Sequence, residues 1–198
     1  MTSTEQFASG PFPGDQFHRF LRYGHVLRSL LREFLEEDFL RQICPHRLTR
    51  SQFCFLKLIA ANSDLQVGEL ARSIGVSAAA ASKNLDKLER LDLVIRETSS
   101  EDRRAILLSA SPEGRRLVGD YERHKAARLM PVIDTLGEEK TGILCDLLEE
   151  VCTGILARVE EPRETCLRCA GYYRPDCVFE EFQGECALKP RRGGEAEA

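Results

Sequence analysis

A chain of 198 residues, 42% of them hydrophobic, is long enough to bury its own core, so its eight cysteines are not needed as staples for an undersized fold. No run approaches the roughly 20 apolar residues that cross a bilayer, and the polar start MTSTEQFASGPFPGDQF lacks the basic and apolar regions of a secretory signal; both features exclude membrane classes and predict a soluble, cytoplasmic protein. The net charge of -4 gives no hint of nucleic acid, yet residues 47–104 hold ten Lys and Arg against eight Asp and Glu, a local basic excess in an otherwise acidic chain.

After a disordered residues 1–14, the segment 15–48 reads as a long amphipathic helix: Phe17, Phe20, Tyr23, Leu27, Leu30, Leu31 and Phe34 recur mostly three or four apart. Pro45 breaks it. Thr49 is placed to cap a second helix, Arg50 to Ala61, with Phe53, Leu56 and Ile59 or Ala60 inward. Val67 to Ile74 reads as a short helix stopped by Gly75, and Ser77 caps the next, whose inward positions are Leu85, Leu88 and Leu91.

Two short helices joined through a glycine suit a helix-turn-helix. The runs LVIRE and AILLSA flank the polar TSSEDRR, the pattern of a two-stranded hairpin with a charged tip. That order is the order of a winged helix, so the fold class expected is mainly α, an α+β winged helix over residues 49–111. Ser111 followed by Pro112 and Glu113 then opens a C-terminal helical region, residues 112–161, since an acid in the first turn suits the helix dipole. Its last helix, Glu138 to Val159, places Cys145, Leu148, Cys152, Ile155 and Val159 on one seam that can pack against a twin from a second subunit. Residues 162–188 form a cysteine-rich segment, and 189–198 a disordered tail.

From Asp15 to about residue 160 the chain resembles the MarR family of bacterial winged-helix transcription regulators. The resemblance rests on LARSIGVSAAAASKNLDKLERLDLV followed by EDRRAILLSASPEG, in which the Asp-x-Arg of the wing falls on Asp102 and Arg104. It implies a homodimer joined by its N- and C-terminal helices, each subunit placing a recognition helix in a major groove of double-stranded DNA and a wing in the adjacent minor groove. Family members usually repress, and many release DNA when a small molecule or an oxidant acts on them.

Carried over by position, Ser77 to Arg90 is the recognition helix. Ser77, Ala78, Ala79, Ser82, Lys83, Asn84 and Lys87 are its DNA-binding candidates. Ser and Lys can bond to phosphates, Asn84 can pair with adenine, and small Ala side chains allow close approach to thymine methyls. Arg103 or Arg104 can enter a narrow minor groove, with Asp102 orienting Arg104. Where the family commonly carries a glycine before the first wing strand this chain has Asp92, which tolerates a left-handed turn better than most residues.

The stretch CLRCAGYYRPDCVFEEFQGEC lies outside that resemblance. Its spacing, Cys-x2-Cys-x7-Cys-x8-Cys, offers Cys166, Cys169, Cys177 and Cys186 as four soft thiolates for one tetrahedral centre. In a reducing compartment clustered cysteines favour metal or redox chemistry over disulfides. Irregular spacing suits a [4Fe-4S] cluster as well as Zn2+, and general abundance favours zinc. Tyr172, Tyr173, Phe179 and Phe182 can form an apolar shell around it. The bland reading, disorder, fits those aromatics poorly.

The other cysteines read as packing residues: Cys44 and Cys54 near helix boundaries, with a sensor role open, and Cys145 and Cys152 on the seam. His18, His25, His46 and His124 are scattered without ligand spacing, and no catalytic constellation or phosphate loop occurs, so no enzyme is expected. The rival readings are a winged-helix protein-protein interaction module with a zinc knuckle and, more weakly, a Cys166/Cys169 dithiol redox protein.

Overall fold

The computed structural model describes residues 14–62, 65–98 and 106–160, together with Cys177, Val178 and Glu180. Among the described residues, six α-helices and a three-stranded antiparallel sheet make a winged helix flanked by long helices. None of the described helices is long and apolar enough to cross a membrane.

The first helix, α1 (Gly14–Leu31), runs on into two π-helical segments, Arg32–Glu37 and Phe39–Ile43, instead of the continuous α-helix that apolar spacing predicts. Hydrogen bonds there reach back five residues, from Asp38 N to Glu33 O and from Cys44 N to Phe39 O. The wider turn rephases the helix: its apolar row is exposed through Phe34, while Leu35 and Phe39 turn into the core. There Phe39 meets Phe53 and Tyr121, with ring centroids 5.6 and 5.2 Å away.

Helix α2 (Arg50–Ala61) begins at a reciprocal capping box. Thr49 Oγ1 accepts from Gln52 N at 3.2 Å, and Gln52 Oε1 accepts from Thr49 N at 3.0 Å, so two otherwise orphaned donors are satisfied. Phe53, Phe55, Leu56, Leu58 and Ile59 are buried. Strand β1 (Leu65–Gln66) follows and leads straight into α3 (Val67–Ile74). Gly75, at φ 67, makes the turn into α4 (Ala78–Arg90).

Strands β2 (Val94–Thr98) and β3 (Ile106–Ala110) are the expected hairpin, in register from Val94 opposite Ala110 to Thr98 opposite Ile106. The sheet order is β1-β3-β2. β1 is the strand that the two-stranded expectation lacks: two residues carry no detectable alternation, and it exists because Leu65 and Gln66 pair with Leu108 and Leu107.

Helix α5 (Pro112–Asp134) starts at Ser111, whose hydroxyl accepts from Gly114 N at 2.9 Å and donates to Asp92 O at 2.6 Å. A Cβ on Gly114 would lie 2.1 Å from Leu93 O, so only glycine lets α5 pack this close to the chain entering the wing. Helix α6 (Gly137–Leu156) is shorter than the expected Glu138 to Val159. Its end tightens into three-residue turns, Arg158 N to Ile155 O and Val159 N to Leu156 O, which leaves Val159 beyond the seam.

Candidate nucleic-acid interface

Helix α4 is pinned from behind. Ala81, Leu85 and Leu88 are fully buried, recurring at the three- and four-residue steps that make one face of a helix. Its front is open: Ser77, Ala78, Ala79 and Lys83 are exposed, while Ser82, Asn84 and Lys87 are half-buried. These seven candidates therefore gather on and beside the outward face of one helix.

Their roles within the chain differ. Ser77 caps α4, its hydroxyl accepting from Ala80 N at 3.2 Å. Asn84 Nδ2 donates to Ala80 O at 2.9 Å. Ala78 through Leu85 include Lys83 and no acid, so the positive end of the helix dipole meets the surface uncancelled, an arrangement that favours an anion. The first carboxylate along α4 is Asp86.

The chain leaves α4 through Asp92 at φ 57. The left-handed turn that a glycine would supply is thus made by an aspartate, and it aims β2 back along the helix. Leu93, fully buried behind it, anchors the turn. Arg103, Arg104 and Asp102 lie outside the described residues; β2 and β3 bracket them.

Sequence reasoning passed over Arg96. Its guanidinium reaches from β2 to α4, with Nη2 2.6 Å from Asp86 Oδ1 and Nε 3.3 Å from Glu89 Oε2. Strand alternation was the available signal: Arg96 falls two residues after the buried Val94, on the face turned toward the helix.

Between α1, the first π-helical segment, the start of α2 and α5 lies a cavity of about 640 Å³ whose lining includes Arg28, Arg32, Glu36, Arg50, Tyr121 and Lys125. Glu36 is buried and ties the first π-helical segment to two residues of α2, with Oε2 2.5 Å from Arg50 Nε and Oε1 3.7 Å from Lys57 Nζ. The Lys57 ammonium also lies over the rings of Tyr121 and Phe53, 5.2 and 5.6 Å from their centroids, the geometry of a cation-π contact.

Of the cysteines, Cys44 donates its thiol to His46 O at 3.1 Å. Burial pushes that thiol up, helped by the Glu113 charge, which keeps it protonated and poorly nucleophilic. Cys54 lies within α2, half-buried against the core, not at a boundary. Cys145 and Cys152 are exposed on α6. His124 packs against Phe39, and burial lowers its pKa, with Arg128 adding to the effect. Among the described residues no three His, Cys, Asp or Glu gather to hold a metal. Cys177 is half-buried; Cys166, Cys169 and Cys186 lie outside the described residues.

The MarR family model matches residues 47–105, the segment from α2 into the wing. The chain is similar to the HTH-type transcriptional regulator FarR of Neisseria gonorrhoeae, 29% identical over 130 residues that cover 66% of this chain and 86% of the relative. It is similar also to the HTH-type transcriptional regulator MhqR of Bacillus subtilis (strain 168), 29% identical over 119 residues, 60% of this chain and 77% of the relative. Among solved structures, Streptococcus pneumoniae FabT in complex with DNA superposes with a TM-score of 0.61 at 21% identity, covering 71% of this chain and 99% of that one, a likeness of fold. The transcriptional repressor CouR, bound to a 23-mer DNA duplex, superposes with a TM-score of 0.50 at 29% identity, covering 65% of this chain and 89% of that one.

Proposed function

We propose that this protein is a homodimeric, sequence-specific DNA-binding transcription regulator that represses its targets. The observation that carries the reading is α4: an exposed, acid-free N-terminal half backed by fully buried Ala81, Leu85 and Leu88, inside the segment that matches the MarR family. Ser77, Ala78, Ala79, Ser82, Lys83, Asn84 and Lys87 read the major groove, and Arg103 and Arg104 the minor groove. The similarity to CouR, solved on a DNA duplex, supports this use of the face.

Dimerisation is supported by the helices on either side. Phe17, Phe20, Tyr23, Leu27 and Leu30 of α1 and Leu147, Leu148 and Ile155 of α6 are each 40–60% exposed in a single chain, an apolar area that a second copy would cover. Two copies also present two recognition helices to half-sites about one helical turn apart. The cavity beside Glu36 and Tyr121 is the place for a small-molecule effector, and its excess of arginine and lysine suits an anion.

The four cysteines Cys166, Cys169, Cys177 and Cys186 hold one Zn2+ or [4Fe-4S] centre that is structural or senses redox state or metal supply. Their Cys-x2-Cys-x7-Cys-x8-Cys spacing supports this. Metal analysis and a visible spectrum on protein purified without oxygen test it, and replacing any one of the four by Ser should abolish binding of the metal found.

The test of the whole reading is titration of duplexes selected from a random pool, at several salt concentrations. Log affinity should fall with log salt by about 0.9 for each phosphate neutralised, and Ser82→Ala with Lys83→Ala should weaken binding without unfolding the protein. Affinity that ignores salt, or capture of a protein partner in place of DNA, would overturn it in favour of a protein-interaction module.

A further inference from the structure

Helix α4 and strand β2 belong to the two parts that meet DNA, and one side chain ties them together. Arg96 stands at the middle of β2, opposite Leu108 in the sheet. Its side chain is 22% exposed, whereas Asp86 and Glu89 are 52% and 45% exposed. The two acids, three residues apart, lie along one edge of α4; the guanidinium donates a hydrogen bond from Nη2 to Asp86 Oδ1 and pairs by charge with Glu89 at 3.3 Å, without a hydrogen bond from Nε among the described residues. Arg90 reinforces the same turn by donating from Nε to Asp86 O at 3.1 Å.

We infer that Arg96 is a positioning residue for DNA reading: by bridging Asp86 and Glu89 it sets the angle between recognition helix and wing and neutralises the two carboxylates nearest the reading face. The inference rests on the DNA-binding function proposed above. Its physical content is twofold. A planar fork with fixed donors holds two elements in one relative orientation, which a flexible ammonium cannot. Two carboxylates left without their cation would also stand beside the phosphate backbone and repel it.

The mechanism differs from a phosphate contact in a way that can be measured. Full-length protein is compared as wild type, Arg96→Gln, Arg96→Lys, the double variant Asp86→Ala with Glu89→Ala, and the triple variant that adds Arg96→Gln to it. Affinity for a duplex selected by the wild type from a random pool is measured at several salt concentrations, with thermal melting as a control for folding. Arg96→Gln should bind about tenfold or more weakly with a salt slope close to wild type, and Arg96→Lys should recover only part of the loss. The double variant should also bind more weakly, and the triple variant should be no worse than Arg96→Gln, because residues acting through one contact are not additive.

If Arg96 instead contacts phosphate itself, Arg96→Gln lowers the salt slope by about 0.9 and the double variant, with Arg96 released, binds more tightly. Either result overturns the inference while leaving DNA binding intact. So does an Arg96→Gln protein that binds as well as wild type. A wild type that binds no duplex sinks the underlying function and the inference with it.

Discussion

Leu88 and Leu148 are the same side chain on the same kind of apolar helical row, and they meet opposite fates. Leu88 is fully buried between α4 and the rest of the winged helix, while Leu148 on α6 is 42% exposed. The contrast extends to whole regions: the segment from α2 through the start of α5 carries most of the core, whereas no residue of α1 and only Leu156 of α6 is buried. Apolar periodicity states that a face must leave water. It does not state whether the cover comes from the same chain or from another.

The largest expected effect tests the buried side of that contrast. Leu88→Ala removes a fully enclosed side chain, so it should cost about 2–5 kcal/mol, read as a fall in the denaturation midpoint that does not depend on protein concentration. Leu148→Glu should leave the melting of the winged helix within about 0.5 kcal/mol of wild type and shift the sedimentation of the full chain from dimer to monomer. A monomeric wild type, or a winged helix unfolded by Leu148→Glu, would erase the distinction between the two rows.

Gly114→Ala probes how closely the two regions are joined. The new methyl would meet the Leu93 carbonyl, a backbone atom that cannot swing aside. Overpacking of this kind costs about 1–3 kcal/mol, and because Ser111 also bonds Gly114 N and Asp92 O, the shift should loosen the entry to the wing. Stability unchanged in equilibrium denaturation would mean that α5 can slide away from the turn.

The smallest effect belongs to Asp92. Its φ of 57 lies where a β-branched residue is strained, so Asp92→Val should cost about 1–2 kcal/mol. Asp92→Gly should change stability by less than about 1 kcal/mol, since relief of the turn is offset by added freedom in the unfolded chain. Equal stability of all three proteins would show that this turn bears no strain.

Most of the winged helix was legible because each element carries its own local signal. Thr49, Ser77 and Ser111 are caps whose side-chain oxygens accept from their own helices, and caps, glycine stops and apolar spacing act over a few residues. The outward face of α4 was legible for the same reason, since burying Ala81, Leu85 and Leu88 forces the intervening positions out. Three features needed the folded chain. Strand β1 is created by its partner in β3, and the π-helical turns arise where one helix must present one row outward and Leu35 and Phe39 inward. The third, the bridge from Arg96 to Asp86 and Glu89, spans ten and seven residues of sequence that no periodicity relates.

By itself, then, the sequence determined the local order of helices, hairpin and caps, because hydrogen-bond satisfaction and amphipathic spacing operate between near neighbours. Only tertiary structure decided which apolar rows close on the chain itself, which stay exposed in the single chain, and which charges meet across elements. Those outcomes depend on distances between groups remote in sequence, and burial and Coulomb energies are set by those distances.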